Sequence, residues 1–283
     1  MSGVFIGSFA SYSALDFNLF IFILALATTI SYQILSNFAN DYGDGVKGTD
    51  KNRIGPKRAL QSGIISPQEM KKGIIISSFI SLVLTVLLVY VSFSKDFFSF
   101  VVFIGLGVLA IIAAIKYTVG ENAYGYSGYG DVFVFVFFGL VSVLGSNYLF
   151  TSSLNFSLLY PACTVGLLGA GVLNLNNMRD LENDHLMGKK TLAVSLGTHF
   201  SRLYHYLLIA ISIVLMSVFL FKLNSSSPLL MGLFAFIILW LIVHLLQISN
   251  IVDPKKFDKL LKPLVFATVF YSLVLSLHYL EII

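Results

Sequence analysis

Two acidic runs carry the residue types and spacing of a metal site. The first is Asn37-Phe-Ala-Asn40-Asp41-Tyr-Gly-Asp44-Gly-Val-Lys47-Gly-Thr-Asp50, and the second is Asn177-Met-Arg179-Asp180-Leu-Glu182-Asn183-Asp184. Each closes a long apolar stretch. Steps of three or four residues place Gln33, Asn37, Asn40, Asp41 and Asp44 on one helical stripe, and Asn174, Asn177, Asp180 and Asp184 on another. At an offset of 140 residues Asn37 aligns with Asn177, Asn40 with Asp180 and Asp44 with Asp184, so two four-helix halves with a site between them are expected. Carboxylates at i and i+4 repel unless a cation lies between them. An oxygen donor set without His or Cys suits Mg²⁺, which takes one or two carboxylates and completes its shell with substrate phosphates. Asp41, Asp44, Asp180 and Asp184 are therefore read as metal carriers. Asp50 and Glu182 are read equally well as helix caps or solvated loop charge.

Basic residues follow both runs: Lys47, Lys51, Arg53, Lys57 and Arg58 after the first, Lys189 and Lys190 after the second. A metal flanked by Lys and Arg is what a diphosphate leaving group requires. No Walker-type loop is present, so a nucleotide is not indicated. A third break, from Lys116 and Tyr117 through Tyr124-Gly-Tyr126-Ser-Gly-Tyr129-Gly-Asp131, alternates glycines with tyrosines. Its ring faces suit a cation, and the same tyrosines suit an interfacial belt. Asp131 opens the next helix, where it also suits the helix dipole. The five histidines show no metal-ligand spacing, and Cys163, the single cysteine, reads as a small core residue.

The elements that position these groups are membrane helices. Of 283 residues 57% are hydrophobic and 11% charged, against roughly 45–50% and about 25% in soluble domains. With a mean hydropathy of +0.87, an ordinary soluble domain, a disordered chain and a disulfide scaffold are excluded. Residues 40–72, 116–131, 179–202 and 250–262 hold 27 of the 32 charged residues. Between them lie apolar runs near 1–15, 17–40, 72–93, 98–116, 131–150, 156–177, 203–221, 228–249 and 263–281, most of them near the roughly 20 residues a spanning helix needs. A lipid-exposed backbone must satisfy its own hydrogen bonds, so all nine are read as helices, and the period-2 pattern of a barrel is absent. Nine crossings put 16 of the 18 Lys and Arg on one side, leaving only Lys95 and Lys222 on the other. The positive-inside rule makes the charged side and the N-terminus cytoplasmic. The net charge of +4 thus belongs to membrane-flanking loops and not to a nucleic-acid surface. The first run is short and no basic residue precedes it, which excludes a signal peptide and predicts a first helix truncated at its N-terminus.

Three blocks together resemble the UbiA superfamily of intramembrane prenyltransferases over nearly the whole chain. They are Ile34 to Asp50 with Arg53-Ile-Gly-Pro-Lys-Arg58; Ile111 to Gly120 with Tyr124 to Asp131; and Val172 to Asp184 with Gly188-Lys-Lys-Thr-Leu192. Three departures stand out. Asp50 lies six residues after Asp44 where four is commoner, Ala123 replaces a frequent proline, and an Arg-Pro-x-Thr-Leu-like start is absent. The resemblance implies one all-α integral-membrane domain over 1–283, a bundle of nine transmembrane helices around a central cavity, in the cell inner membrane with its active site near the cytoplasmic side. It implies a polyprenyl diphosphate donor and an aromatic acceptor. In the form these blocks take, the acceptor is 1,4-dihydroxy-2-naphthoate, a step of menaquinone synthesis. On this basis Asn40, Asp41, Asp44, Asp180 and Asp184 hold two Mg²⁺, backed by Asn37 and Asn177. Lys47, Arg53, Arg58, Lys189 and Lys190 bind diphosphate, Tyr117 shields an allylic cation, and Lys116 and Asp131 orient the acceptor. The same chemistry on 4-hydroxybenzoate, homogentisate or haem is the nearest alternative. An ion-coupled secondary transporter is a further one, but its carboxylates would sit at mid-membrane. A phosphatidyl-alcohol transferase would need a single contiguous motif that is not found.

Overall fold

The computed structural model describes residues 1–12, 16–49, 58–225 and 227–283. Among them every regular element is helical. These are α1 (Ser2–Ala10), α2 (Leu19–Lys47), α3 (Pro67–Phe93), α4 (Phe97–Lys116), α5 (Gly130–Thr151), α6 (Leu159–Arg179), α7 (Leu181–Leu186), α8 (Leu192–Leu223), α9 (Pro228–Ser249) and α10 (Asp258–Tyr279). The middle of α5, Phe135–Gly145, is a π-helix.

Eight of these helices are long and apolar enough to cross a bilayer: α2 to α6 and α8 to α10. The expected first span is instead the nine-residue α1. At 1.5 Å per residue it reaches about 14 Å, under half of a ~30 Å hydrocarbon core. Large apolar side chains such as Phe79, Phe97, Phe98 and Phe221 are 67–86% exposed, which suits lipid and not water. Several hydroxyls within the apolar helices are satisfied locally: Thr28 donates to the carbonyl of Leu24, Thr85 to Ser81 and Ser212 to Leu208. The chain therefore forms an all-α integral membrane protein.

The helix ends follow from local sequence. Ser66 and Glu69 form a reciprocal capping box at α3, with Pro67 as the first helical residue. Asp96 caps α4 by accepting from the backbone N–H of Ser99 at 3.1 Å. Gly197 breaks α8 with φ 74° and ψ 174°.

Contacts group the chain into two compact units that do not follow the two sequence halves: Met1–Asn18, Asp131–Arg179 and Leu196–Ile283 in one, Leu19–Gly130 and Asp180–Ser195 in the other. In the first unit, α10 packs on α1, α6 and α9, and the π stretch of α5 packs on α6. Leu168, Leu175, Ile209, Phe234 and Leu264 are fully buried there. His205 of α8 and His244 of α9, which show no pairing in the sequence, are buried with their Nε2 atoms 3.0 Å apart. In the second unit α2, α3 and α4 enclose Leu35, Ala39 and Ile74. The Tyr32 hydroxyl joins these three helices, lying 2.5 Å from Thr85 Oγ1 and donating to the carbonyl of Gly107 at 3.4 Å.

Candidate active site

The second unit carries the acidic ends. Helix α2 does not stop at the last apolar residue. It stays helical through Lys47, so Asn37, Asn40, Asp41 and Asp44 do share one helix, as expected. The second run does not. Helix α6 ends at Arg179, Asp180 takes φ −95° and ψ 8°, and Asp184 lies on the separate helix α7. Hence Asn174 and Asn177 belong to the first unit and Asp180 and Asp184 to the second. The single stripe read from the spacing is broken there.

Asp44 is the hub. It is 3% exposed. Arg58 Nη1 contacts its Oδ2 at 2.8 Å and donates to the carbonyl of Asn40 at 2.7 Å. The Tyr126 hydroxyl donates to Asp44 Oδ1 at 2.8 Å. Lys189 Nζ lies 3.8 Å from Asp44 Oδ1 and 4.0 Å from Asp184 Oδ1, so the two acidic runs converge on one ammonium. Here a cation of the protein itself lies between carboxylates of different runs, not between the i and i+4 pair of one stripe. Asn183 Nδ2 donates to the carbonyl of Thr49 at 2.9 Å and joins the same two segments.

Other predicted residues take different positions. Asp41 accepts from the backbone N–H groups of Ala59 and Leu60 at 3.0 and 3.4 Å, which anchors the segment carrying Arg58. Asn37 is exposed and accepts from Gln33 at 3.4 Å. Asn40 Oδ1 accepts from Thr118 at 3.3 Å. Asp180 starts α7 and its carbonyl accepts from Asp184 N–H at 2.8 Å. Lys47 Nζ sits 3.9 Å from the Tyr126 ring centroid. Lys190 has an exposed side chain and binds through its N–H, which donates to the Tyr126 carbonyl at 3.1 Å. Arg53, with Asp50, Lys51 and Lys57, lies outside the described residues.

Lys116 is exposed at the end of α4, and Tyr117 packs edge-on against Tyr124, centroids 5.3 Å apart at 71°. Asp131 and Asn177 are buried in the first unit. There the Tyr204 hydroxyl donates to Asp131 at 3.5 Å. Thr49 and Asn183 carry no role in the sequence pattern, and Tyr126 enters it only through its ring face, not its hydroxyl. Their partners lie 77 to 134 residues away, and no short-range pattern marks such contacts.

Burial first, then the adjacent Asp44 carboxylate, raises the Tyr126 phenol above its ordinary value. It therefore stays protonated and keeps donating at neutral pH. Among the described residues no three His, Cys, Asp or Glu side chains gather into a metal-ready group. Two carboxylates nonetheless converge on a single cation, and every donor is oxygen, which fits a hard divalent ion with an anionic ligand completing its shell.

Gly43 permits the close approach of α2 to the end of α4. A Cβ there meets Thr118 Oγ1 at 2.5 Å and the Thr118 carbonyl carbon at 2.7 Å. Thr118 in turn donates to the Ala39 carbonyl at 2.9 Å. Gly43→Ala is expected to destabilise the protein by about 1–3 kcal/mol, since backbone and not a flexible side chain must yield. A thermal melt in detergent measures this, and an unchanged midpoint contradicts it.

An all-helical membrane protein that gathers carboxylates, lysines and tyrosines at its helix ends fits the class of membrane-embedded enzymes acting on anionic substrates. Residues 1–274 match the UbiA prenyltransferase family. The chain belongs to that family and is a prenyltransferase. It is similar to the 1,4-dihydroxy-2-naphthoate octaprenyltransferase of Haemophilus influenzae, 48% identical over 218 residues, covering 75% of this chain and 70% of the relative. Its fold is similar to the apo structure of a UbiA homolog from Aeropyrum pernix K1, with a TM-score of 0.67 at 15% identity over 96% of this chain and 98% of the other. A UbiA homolog from Archaeoglobus fulgidus, solved bound to DMAPP and Mg²⁺, has a TM-score of 0.59 at 15% identity over 97% and 96%.

Proposed function

We propose that this chain transfers a polyprenyl group from its diphosphate to 1,4-dihydroxy-2-naphthoate, with loss of carbon dioxide and diphosphate. The observation that carries it is the convergence of Asp44 and Asp184 on Lys189, with Arg58 on Asp44 and Lys47 on the Tyr126 ring. The naphthoate enzyme of H. influenzae and the Mg²⁺- and DMAPP-bound relative support the acceptor, the metal and the donor.

Asp44 and Asp184, with Asn40 and Asp180, are assigned to hold two Mg²⁺, and Asp41 to anchor the segment bearing Arg58. Bound Mg²⁺ supplies Lewis-acid neutralisation of the departing diphosphate. Lys47, Arg58 and Lys189 take up the rest of its charge. Arg53 and the exposed Lys190 side chain are kept as additional diphosphate contacts. Tyr117, backed by Tyr124, presents a ring face to the allylic cation. Lys116 orients the acceptor. The ring carbon bearing the carboxylate forms the new C–C bond, and the bond to the carboxylate then breaks, returning its electron pair to the ring. Because carbon dioxide leaves in place of a ring proton, these residues need not include a strong base.

The matching test supplies purified protein with a prenyl diphosphate, Mg²⁺ and a panel of acceptors. Diphosphate release with dihydroxynaphthoate alone is expected. Release with 4-hydroxybenzoate or homogentisate but not the naphthoate overturns the acceptor.

For topology we propose nine membrane-embedded helices, α1 being the shortest, with the acidic ends cytoplasmic and the membrane being the cell's inner one. The split of 16 basic residues against two supports this. In a Cys163→Ser background, Met187→Cys is expected to react with an impermeant maleimide only from the cytoplasmic side, and Ser225→Cys only from the other. Labelling of both from one side contradicts it.

A further inference from the structure

Tyr126 lies where everything in the second unit meets. Its hydroxyl donates to Asp44 Oδ1 at 2.8 Å and lies 2.6 Å from Thr49 Oγ1. Its ring has Lys47 Nζ at 3.9 Å and Lys189 Nζ at 5.1 Å from the centroid. Its carbonyl accepts from the Lys190 N–H at 3.1 Å. One residue of the Tyr-Gly-Tyr loop thus touches the first acidic run, the second basic run and the lysine between the carboxylates. Gly128, at φ +82°, turns the chain two residues later, where a Cβ would lie 3.4 Å from the Lys190 carbonyl oxygen.

The two halves of the side chain do different things. A hydrogen bond from a phenol to one carboxylate oxygen fixes the rotation of that carboxylate, as groups behind metal ligands do. A ring face attracts ammonium groups without removing their charge or using up their N–H donors. An ammonium resting on a ring keeps its donors for a phosphate, whereas one paired tightly to a carboxylate gives them up.

We propose that Tyr126 is a positioning residue with two separable functions: its hydroxyl sets the Asp44 carboxylate for the divalent cation, and its ring sets Lys47 and Lys189 for the prenyl diphosphate. The inference rests on the proposed prenyl-transfer function and deepens it. Thr49 backs the hydroxyl, and Asn183 closes the arrangement by holding the Thr49 carbonyl at 2.9 Å.

Binding, and not turnover, separates the two functions. The probe is a non-hydrolysable geranyl thiolodiphosphate titrated into full-length protein in nanodiscs, at varied Mg²⁺, for wild type, Tyr126→Phe, Tyr126→Leu and Asp184→Asn. Tyr126→Phe is expected to raise the Mg²⁺ concentration for half-saturation by about 10-fold or more, in the range of lost partners behind metal ligands. At saturating Mg²⁺ its affinity for the probe stays within about twofold of wild type, because the ring remains. Tyr126→Leu is expected to raise the Mg²⁺ requirement equally and also weaken the probe by about 5- to 30-fold, the loss of ring–ammonium attraction at a part-buried site. Where the leucine variant fails to fold, Tyr126→Met takes its place, again removing both ring and phenol, with the same two losses expected. Wild-type Mg²⁺ dependence in Tyr126→Phe overturns the hydroxyl function, and wild-type probe affinity in Tyr126→Leu overturns the ring function. Wild-type protein that binds no probe with Mg²⁺, or Asp184→Asn that binds as wild type does, overturns the prenyl-transfer function itself and this inference with it.

Discussion

Asp44→Asn and Asp184→Asn are each expected to lower prenyl transfer by at least about 10²-fold while leaving the fold intact, and the double variant is expected to be little worse than either. Asn keeps the size of Asp and one acceptor oxygen, so packing around the buried Asp44 survives. What disappears is charge. Asp44 and Asp184 converge on one cation position through Lys189. A site in which both carboxylates balance one metal–diphosphate cluster fails when either is neutral, and the second loss removes little that remains. Two independent sites would give multiplying losses. Circular dichroism and a thermal melt verify folding, and kcat and KM for both substrates measure the effect. Losses that multiply in the double variant, or activity undiminished in EDTA, contradict a shared metal site.

Lys189→Gln is expected to have the second largest effect, and in two readouts. Lys189 is 12% exposed and stands between two carboxylates that are each 5% exposed. Removing its ammonium takes one cation away from both carboxylates, and Asp44 keeps Arg58 and Tyr126. Losing a charged partner at a nearly buried carboxylate costs on the order of 1–3 kcal/mol. The thermal midpoint should therefore fall in the absence of metal. Added Mg²⁺ should then raise it by more than it raises wild type, because a ligand that binds only the folded state stabilises in proportion to its affinity. The second readout is KM for the prenyl diphosphate, expected to rise by about 10-fold or more as a charge-assisted contact is lost. A Mg²⁺ response equal to that of wild type shows that the ammonium and the metal do not share the carboxylates.

Much of the architecture is legible in the residues because a bilayer imposes a blunt rule on composition. The runs read at 98–116 and 228–249 coincide with Phe97–Lys116 and Pro228–Ser249 to within a residue. Where boundaries moved, polar residues continued a helix beyond the apolar run. Asp41 to Lys47 extend α2, residues 192–202 extend α8 past the Gly197 break, and Asp258 begins α10 before Pro263. Hydropathy marks where a chain meets lipid, and helical hydrogen bonding does not stop there. The carboxylate runs were legible because their spacing is local. The break at Asp180 was not, since nothing in the run forbids one continuous helix. Nor were the parts played by Tyr126, Thr49, Asn183 and the His205–His244 contact, which depend on tertiary placement. Lys189 was legible as one of the basic residues that follow the second acidic run. Its seat between Asp44 and Asp184 requires the fold.

The most direct measurement gives purified protein in nanodiscs dihydroxynaphthoate labelled with ¹³C in its carboxyl group, a prenyl diphosphate and Mg²⁺, and follows products by mass spectrometry. Prenyl transfer with decarboxylation predicts a prenylated naphthoquinol lacking the label, with labelled carbon dioxide and diphosphate formed in equal amounts, and none of the three in EDTA. A prenylated product that retains the labelled carboxyl, or no prenylated product from this acceptor while diphosphate is released with another, contradicts the proposed reaction.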